Sequence, residues 1–238
     1  MKIALIGKGK TGGEILNLHP GDQIQVFDSQ NPVSVDKLAT CDVAIAFVPG
    51  HVLESVIPVL IEANIPLVSG ATGFTWPSHI QTELQKRKLS WISGSNFSLG
   101  MRIVHQMIKK LNLAKKLFDD YNFSIHEIHH TKKLDAPSGT AISWNEWVDS
   151  AASDITHERI GDVVGDHEMT LNTAYEKISL RHQALDRKIF AKGALWAANY
   201  LLKERPEPGL HLFEEITEKI INDNQQKKQL RKEHSNEL

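Results

Sequence analysis

Short apolar runs alternate with helix-like segments along the first part of the chain. These runs are predicted to be buried strands, and they cover residues 2–6, 24–28, 43–48, 66–69 and 89–93. Helices are predicted between them, over residues 11–18, 53–63 and 77–88. Pro58 should kink the second helix or mark a late start, whereas Pro77 should lie in the first turn of the third. Apolar strands that alternate with helices indicate a parallel sheet covered on both faces, which is an α/β fold.

The pattern changes after residue 97. Helices are predicted there over residues 99–118, from Ser138 onward, and over residues 186–203. Two segments, 121–125 and 166–183, alternate apolar with polar side chains as half-exposed strands do, with a turn expected near Tyr175. This second region is therefore predicted to be α+β. The stretch from about Asn222 is polar and mixed in charge, and we expect it to be a frayed or disordered tail.

Composition narrows the class of protein. The 238 residues suffice for one large domain or two modest ones, and 41% of them are apolar, as in ordinary globular proteins. The formal charge of -2 gives the protein no excess of positive charge that would favour binding to nucleic acid or to an anionic membrane. We see no apolar stretch long enough to span a bilayer and no signal-peptide pattern. The single cysteine, Cys41, cannot form an internal disulfide. Together these observations predict a cytoplasmic enzyme or binding protein.

A glycine-rich loop lies between the first predicted strand and the first helix. Its pattern is G-x-G-x-x-G, formed by Gly7, Lys8, Gly9, Lys10, Thr11 and Gly12. Asp28 ends the second strand, where a carboxylate can accept hydrogen bonds from the adenosine ribose of a dinucleotide. The glycines permit close approach to a pyrophosphate at the helix N-terminus. This context favours dinucleotide binding, although a tight strand–helix turn without a ligand remains an alternative.

Two more loops follow predicted strands. One contains Gly70, Ala71 and Thr72, and the other contains Gly94, Ser95, Asn96 and Phe97. In an open parallel sheet, ligands bind beyond the carboxyl ends of the strands. We therefore expect all three loops to lie on one rim, where an extended cofactor would bind, although either later loop alone could be an ordinary turn.

The segment from Glu127 to Thr140 combines two histidines with two lysines. It begins at the end of an alternating strand, on which His129 shares a face with Glu127, and it ends at a helix that Ser138 could cap. The N–H groups of Gly139 and Thr140 then lie in the first turn, which is a natural carboxylate site. A histidine can deliver a proton near neutral pH. From the residues alone, a surface or hydrogen-bonded structural pair is the more common explanation of two adjacent histidines, and no set with ligand spacing predicts a metal.

The same segment resembles the signature of bacterial 4-hydroxy-tetrahydrodipicolinate reductases, E-x-H-H-x-x-K-x-D-A-P-S-G-T-A. Further matching pieces occur in order at residues 70–74, 95–100, 159–167 and 190–194. The resemblance implies reduction of a cyclic dicarboxylate with NADH or NADPH. It also implies His129 as proton donor, Lys133 as the second active-site cation, and His130, Gly139 and Thr140 as contacts to the substrate carboxylates. The loops at 70–72 and 94–97 would contact the cofactor.

The resemblance also implies a domain organisation. A Rossmann-like dinucleotide-binding domain is expected over residues 1–97 and 191–238, with an inserted α+β domain for substrate binding and tetramerisation over residues 98–190. We expect a homotetramer that has no nucleic-acid or membrane partner. The chain is short for the family between the second and third strands, and the glycine loop lacks the arginine that many members have. Both departures concern the adenosine end of the cofactor.

The nearest alternative is another two-domain reductase, and an alternative from a different class is a non-catalytic dinucleotide sensor. An amino-acid or semialdehyde dehydrogenase would lack the His-His-Lys segment, and a semialdehyde enzyme would need a nucleophilic thiol, for which Cys41 is badly placed. A non-catalytic dinucleotide sensor should have lost the proton donor and the carboxylate-binding residues, yet His129 and Lys133 are both present.

Overall fold

The computed structural model describes residues 1–19, 23–148 and 154–223. The predicted tail after about Asn222 lies almost wholly outside the described residues. The chain divides into two compact units, one formed by Met1–Ser98 with Lys188–Leu238 and the other by Leu99–Arg187. Each unit has its own sheet and its own core. Among the described residues, no helix is both long enough and apolar enough to cross a bilayer.

The elements are numbered along the chain. The strands are β1 (Ile3–Ile6), β2 (Ile24–Phe27), β3 (Val43–Ala46), β4 (Leu67–Ser69), β5 (Ser90–Ser93), β6 (Asn122–His129), β7 (Asp154–Arg159), β8 (Gly165–Asn172), β9 (Lys177–Ala184) and β10 (Gly209–Leu212). The helices are α1 (Lys10–Leu18), α2 (Val35–Leu38), α3 (Gly50–Glu62), α4 (Ile80–Lys86), α5 (Leu99–Leu111), α6 (Ala114–Leu117), α7 (Gly139–Trp147) and α8 (Lys188–Glu204). Residues 213–223 are also helical.

The first unit contains a parallel six-stranded sheet in the order β10-β5-β4-β3-β1-β2. Strands β1, β3 and β4 are buried along their whole length, because they lie inside the sheet and both of its faces are covered. This confirms the α/β class predicted from the apolar runs and the Rossmann-like fold that the resemblance implies. The short edge strand β10 was not predicted, since four residues after a proline give no periodic signal.

A late helix start at Pro58 and a first helical turn at Pro77 were both wrong. Pro58 lies inside α3, which begins at Gly50, so it neither delays nor ends the helix. Pro58 and Glu54 are both exposed, and water can satisfy the carbonyl that a proline leaves without its intrahelical N–H donor. Helix α4 begins only at Ile80. Pro77 lies in the turn before the helix, where its carbonyl accepts the N–H of Ile80 at 3.0 Å.

The second unit is a four-stranded sheet in the order β7-β6-β8-β9. Strands β6, β8 and β9 are antiparallel, with the turn of the β8–β9 hairpin at residues 173–176, where the alternating pattern predicted it. Helices α5 and α7 pack on one face of this sheet, and their shared core includes Met101, Phe123, Trp144 and Met169. The alternating burial of β6 therefore follows from one covered face and one open face.

Two features of this unit differ from the sequence prediction. The helix expected over residues 99–118 is broken into α5 and α6 at Asn112 and Leu113. The side-chain amide of Asn112 donates to the carbonyl of Trp147 at 3.0 Å, so this polar side chain turns into a tertiary contact instead of continuing the helix face. Strand β7, which pairs in parallel with β6, was missed because most of its side chains are exposed.

Candidate active site

The glycine loop joins β1 to α1 in a conformation that requires its first and third glycines. Gly7 has φ +89°, and a Cβ there would lie 2.6 Å from the carbonyl oxygen of Phe47. A Cβ on Gly12 would lie 2.0 Å from the carbonyl oxygen of Gly7, so helix and loop pack in direct backbone contact. Around Gly9, which precedes the first turn of α1, the described residues other than its two chain neighbours place no atom within 4 Å of such a Cβ. The loop thus leaves open space at a helix N-terminus, which fits a pyrophosphate.

Asp28 follows β2 and is already engaged. Its Oδ2 lies 2.7 Å from Nζ of Lys8, and its Oδ1 accepts hydrogen bonds from the backbone N–H groups of Gln30 and Asn31 at 2.9 and 3.1 Å. The bond from Lys8 is the main cause that lowers the pKa of the Asp28 carboxyl. Lys8 in the glycine loop therefore neutralises the carboxylate at the strand end. Lys10 and Thr11 form the first turn of α1, exposed and half-buried respectively.

The other two loops lie at the same edge of the sheet, after β4 and β5. A Cβ on Gly70 would lie 2.2 Å from the ring of Phe47, and Phe47 packs edge-on against Phe97 with 6.0 Å between ring centroids. Phe97 is 1% exposed, so its side chain supports the loop from within the core. Phe47 at the end of β3 thus connects the three loops. Sequence reasoning missed it because an aromatic residue at a strand end is typical of a core.

Most of the remaining residues predicted in these loops form hydrogen bonds or packing contacts within the protein. The N–H of Ala71 donates to Oγ of Ser69 at 3.3 Å, and the carbonyl of Thr72 accepts from Gly50 at 3.1 Å. Asn96 accepts from the N–H of Ser98 at 2.9 Å, which shapes its turn. Gly94 packs against Phe97 and the helical segment 213–223, while Ser95 is exposed.

In the second unit, the covered face of β6 ends in a buried polar cluster. Glu127 is 0% exposed, and its carboxylate accepts the N–H of Ser138 at 3.0 and 3.2 Å. Nη2 of Arg159 lies 3.1 Å from Oε1 of the same carboxylate, and Nε2 of His167 lies 3.5 Å from Oε2. Nδ1 of His129 lies 3.7 Å from Oε2. A single buried carboxylate therefore contacts two imidazoles, a guanidinium and a helix start.

These contacts set the charge of the cluster. Burial alone would raise the pKa of Glu127, but hydrogen bonds from His167 and Ser138 outweigh it and lower the value to about 2. Burial lowers the pKa of His129 to about 4, and the nearby charge of His167 adds to the effect while Glu127 opposes it. Glu127 is thus ionised and His129 neutral near pH 7 in the ligand-free protein.

The loop after β6 contains the predicted second cation. Nζ of Lys133 lies 2.7 Å from Oδ2 of Asp135, and this bond is the main cause of the lowered pKa of Asp135. His130 begins the loop, and its Nε2 lies 3.4 Å from Nη2 of Arg187. Lys133 is close enough to His129 to lower the pKa of the imidazole further. The loop therefore places cationic groups beside the buried imidazole.

Helix α7 starts where the sequence placed it. Ser138 is the N-cap residue, and its Oγ accepts the N–H of Ala141 at 3.2 Å, as predicted. The same Oγ lies 3.2 Å from Nε2 of His167, which ties the cap to the cluster. Gly139 and Thr140 are the first two helical residues, and Gly139 has open space around it. The structure therefore brings His129, Lys133 and this helix start together within one unit.

Three residues of the cluster had no predicted role: Glu127, Arg159 and His167. Arg159 and His167 come from neighbouring strands, and pairing places Arg159 opposite His129 and His167 opposite Glu127. No local pattern reveals such a register. Ligand atoms of Glu127, His129 and His167 lie within 4.8 Å of one another, a grouping that spacing did not indicate. We assign no metal to it because Arg159 and Ser138 already bind the carboxylate.

Comparison with known proteins identifies the family. A family model described as dihydrodipicolinate reductase, C-terminus, matches residues 100–216. A 4-hydroxy-tetrahydrodipicolinate reductase of Thermosipho africanus is 32% identical over 220 residues, which cover 91% of this chain and 97% of that protein. One from Christiangramia forsetii is 35% identical over 221 residues, covering 84% of this chain and 92% of the relative.

A solved structure gives the same fold. Dipicolinate-bound dihydrodipicolinate reductase from Paenisporosarcina sp. TG-14 superimposes with a TM-score of 0.71 at 21% identity, covering 91% of this chain and 99% of that one. The resemblance drawn from the histidine–lysine segment is confirmed, and it extends over nearly the whole chain. The enzymes of this family reduce 4-hydroxy-tetrahydrodipicolinate to tetrahydrodipicolinate with NAD(P)H. This chain belongs to the 4-hydroxy-tetrahydrodipicolinate reductase family, the NAD(P)H-dependent oxidoreductases of lysine and diaminopimelate biosynthesis.

Proposed function

We propose that His129 donates the proton and Lys133 binds a substrate carboxylate in the NAD(P)H-dependent reduction of 4-hydroxy-tetrahydrodipicolinate. The observation that supports these roles most strongly is the buried imidazole of His129 beside Lys133 and an open helix start. The reduced nicotinamide supplies the hydride when it is bound. The protein's own groups supply the proton and the positive charge that a dicarboxylate needs.

The carboxylates of the substrate are proposed to bind Lys133, His130 and the first turn of α7. The first N–H groups of a helix have no carbonyl partner within that helix. Because the cap oxygen of Ser138 takes the N–H of Ala141, those of Gly139 and Thr140 are the ones available to an anion. The solved relative that is bound to dipicolinate, a planar dicarboxylate, supports a ligand of this kind.

The cofactor is proposed to bind along the rim formed by the three loops of the first unit. Its pyrophosphate would lie at Gly9 and the N-terminus of α1, where the loop has open space. The contacts proposed from the loops are Gly7, Lys8, Gly9, Lys10, Thr11, Gly12, Asp28, Gly70, Ala71, Thr72, Gly94, Ser95, Asn96 and Phe97.

We propose that both NADH and NADPH are used, with a modest preference for NADH. Asp28 can accept hydrogen bonds from the ribose hydroxyls and would repel a 2′-phosphate. Lys8 can attract that phosphate, but it must first give up its 2.7 Å contact with Asp28. The preference should shrink at high salt, because both the attraction and the repulsion are then screened.

The proposed assembly is a homotetramer, and the proposed compartment is the cytoplasm. The open face of the sheet β7-β6-β8-β9 supports association, since exposed side chains such as Ser179 and Gln183 recur along that face of its edge strand β9. A biosynthetic reductase needs a compartment that supplies reduced nicotinamide, which is why we propose the cytoplasm.

The function is tested by following NADH oxidation with substrate generated freshly by the preceding aldol condensation. The proposed function predicts turnover with this cyclic substrate and none with aspartate semialdehyde or an amino acid. Binding of NADH without turnover of any of these compounds would instead favour a dinucleotide sensor.

A further inference from the structure

Arg159 on β7 connects the buried cluster to the loop after β6. Its Nη2 donates to Glu127 at 3.1 Å and to the carbonyl of Asp135 at 2.6 Å. Its Nε donates to the carbonyl of Lys133 at 3.3 Å. One guanidinium thus holds both the buried carboxylate and the backbone on either side of residue 134. A planar fork with several N–H donors suits this task, which a lysine cannot reproduce.

Glu127 holds the other parts of the site. Its two oxygens accept the N–H of Ser138, the cap residue of α7, and one of them lies 3.7 Å from Nδ1 of His129. An ionised carboxylate without exposure is retained only when it is well paired, and Arg159 provides that pair. The pair therefore touches His129, the start of α7 and the loop of Lys133 at once.

We propose that Glu127 and Arg159 are positioning residues for the reduction: Glu127 holds His129 in its proton-donating orientation and charge, and Arg159 fixes the loop that contains Lys133. This inference rests on the proposed function, because it presumes that His129 and Lys133 take part in the reaction.

The effect of Glu127 on the charge of His129 follows from the charged groups that face the imidazole. They are Glu127 on the same strand, Lys133 on the following loop, Arg159 on β7 and His167 on β8. Among these four, Glu127 alone is negative, so it alone favours the imidazolium form. Glu127→Gln keeps the size of the side chain and its hydrogen bond from Ser138 but removes this charge. The pKa of His129 should then fall, and with it the pH up to which the proton donor remains charged.

The two residues should give different kinetic signatures. In Glu127→Gln, the pH at which kcat declines on the alkaline side should fall by about one unit or more. In Arg159→Lys, the charge next to Glu127 is retained while the contacts to the loop carbonyls are lost. The KM for the dicarboxylate should then rise about tenfold, with the alkaline decline of kcat and the KM for NADH unchanged. A purely structural role would lower the fraction of active enzyme without moving either quantity.

Arg181→Gln is the matched control, because it removes another buried-carboxylate partner from the same sheet. Nε of Arg181 lies 2.9 Å from Asp166, outside the cluster. This variant should keep the wild-type pH profile and KM. If Glu127→Gln alone does not fold, the double variant Glu127→Gln/Arg159→Met removes both charges together. Its alkaline decline should still move to lower pH, but by less, because the Arg159 charge that opposes protonation of His129 is lost as well.

The experiment separates this inference from the proposed function. An unchanged pH profile in the folded Glu127→Gln or double variant, together with an unchanged KM in Arg159→Lys, would overturn the inference. If His129→Gln has lost turnover in the same assay, the proton-donor role still stands. If His129→Gln keeps wild-type turnover, the proposed function itself is wrong.

Discussion

Binding of a dicarboxylate should place a proton on His129. In the protein without substrate, burial lowers the pKa of this imidazole to about 4, so the ring is uncharged near neutral pH. A dianion bound at Lys133 and the start of α7 adds negative charge close to the ring and favours its charged form. Substrate binding would therefore prepare the proton donor.

The magnitude follows from Coulomb's law. A carboxylate about 6 Å from the ring, in a medium of effective dielectric constant about 20, stabilises the imidazolium by about 3 kcal/mol, which is about two pH units. The pKa of His129 should then rise from about 4 to roughly 6 in the complex. At pH 6 the complex should take up about half a proton, and at pH 8 almost none.

Calorimetric titration with dipicolinate in buffers of different ionisation enthalpy measures this uptake directly. His129→Gln should abolish it at pH 6. His126→Gln is the matched control, because His126 lies on the same strand but contacts Thr156 and Glu158 on the open face. Equal proton uptake in the wild type and in His129→Gln would refute the reasoning.

Three further results are expected. Asp28→Ala should shift the ratio of specificity constants a few-fold toward NADPH, because it frees Lys8 and removes a repelling charge; a strong NADPH preference in the wild type would instead contradict the role of Asp28. Because the pKa of His129 is lowered in the folded protein, the unfolded chain binds more protons between pH 6.5 and 4. The free energy of unfolding should therefore fall by about 3 kcal/mol as the pH is lowered over that range. Denaturation at each pH measures this fall, which should be smaller in His129→Gln. Sedimentation at micromolar concentration should give four times the subunit mass; a monomer mass would rule out the tetramer.

The fold could be predicted where burial repeats along the sequence. Strands β1, β3 and β4 are buried because both faces of their sheet are covered, and the predicted runs contain these strands together with β2 and β5. Strand β7 escaped because its side chains are mostly exposed, and the break at Asn112 escaped because its cause is a contact to Trp147. An exposed strand has no apolar periodicity, and a tertiary hydrogen bond joins residues that are far apart in the sequence, so local periodicity indicates neither.

The candidate site could be predicted only where its residues lie close together in the sequence. His129, Lys133 and the cap Ser138 lie in one continuous segment, so their proximity follows from the sequence. The partners Arg159 and His167 come from other strands, and only the register of β6 with β7 and β8 brings them to Glu127.

The most direct test of the account is a comparison of NADH oxidation by the wild type, His129→Gln and Lys133→Ala with freshly generated 4-hydroxy-tetrahydrodipicolinate. Loss of a positioned general acid typically costs ~10²–10⁴ in rate. We predict rapid turnover by the wild type and losses of that order in both variants, with little change in NADH affinity. Wild-type turnover in either variant would contradict the role assigned to that residue, and absence of turnover by the folded wild-type protein would contradict the account as a whole.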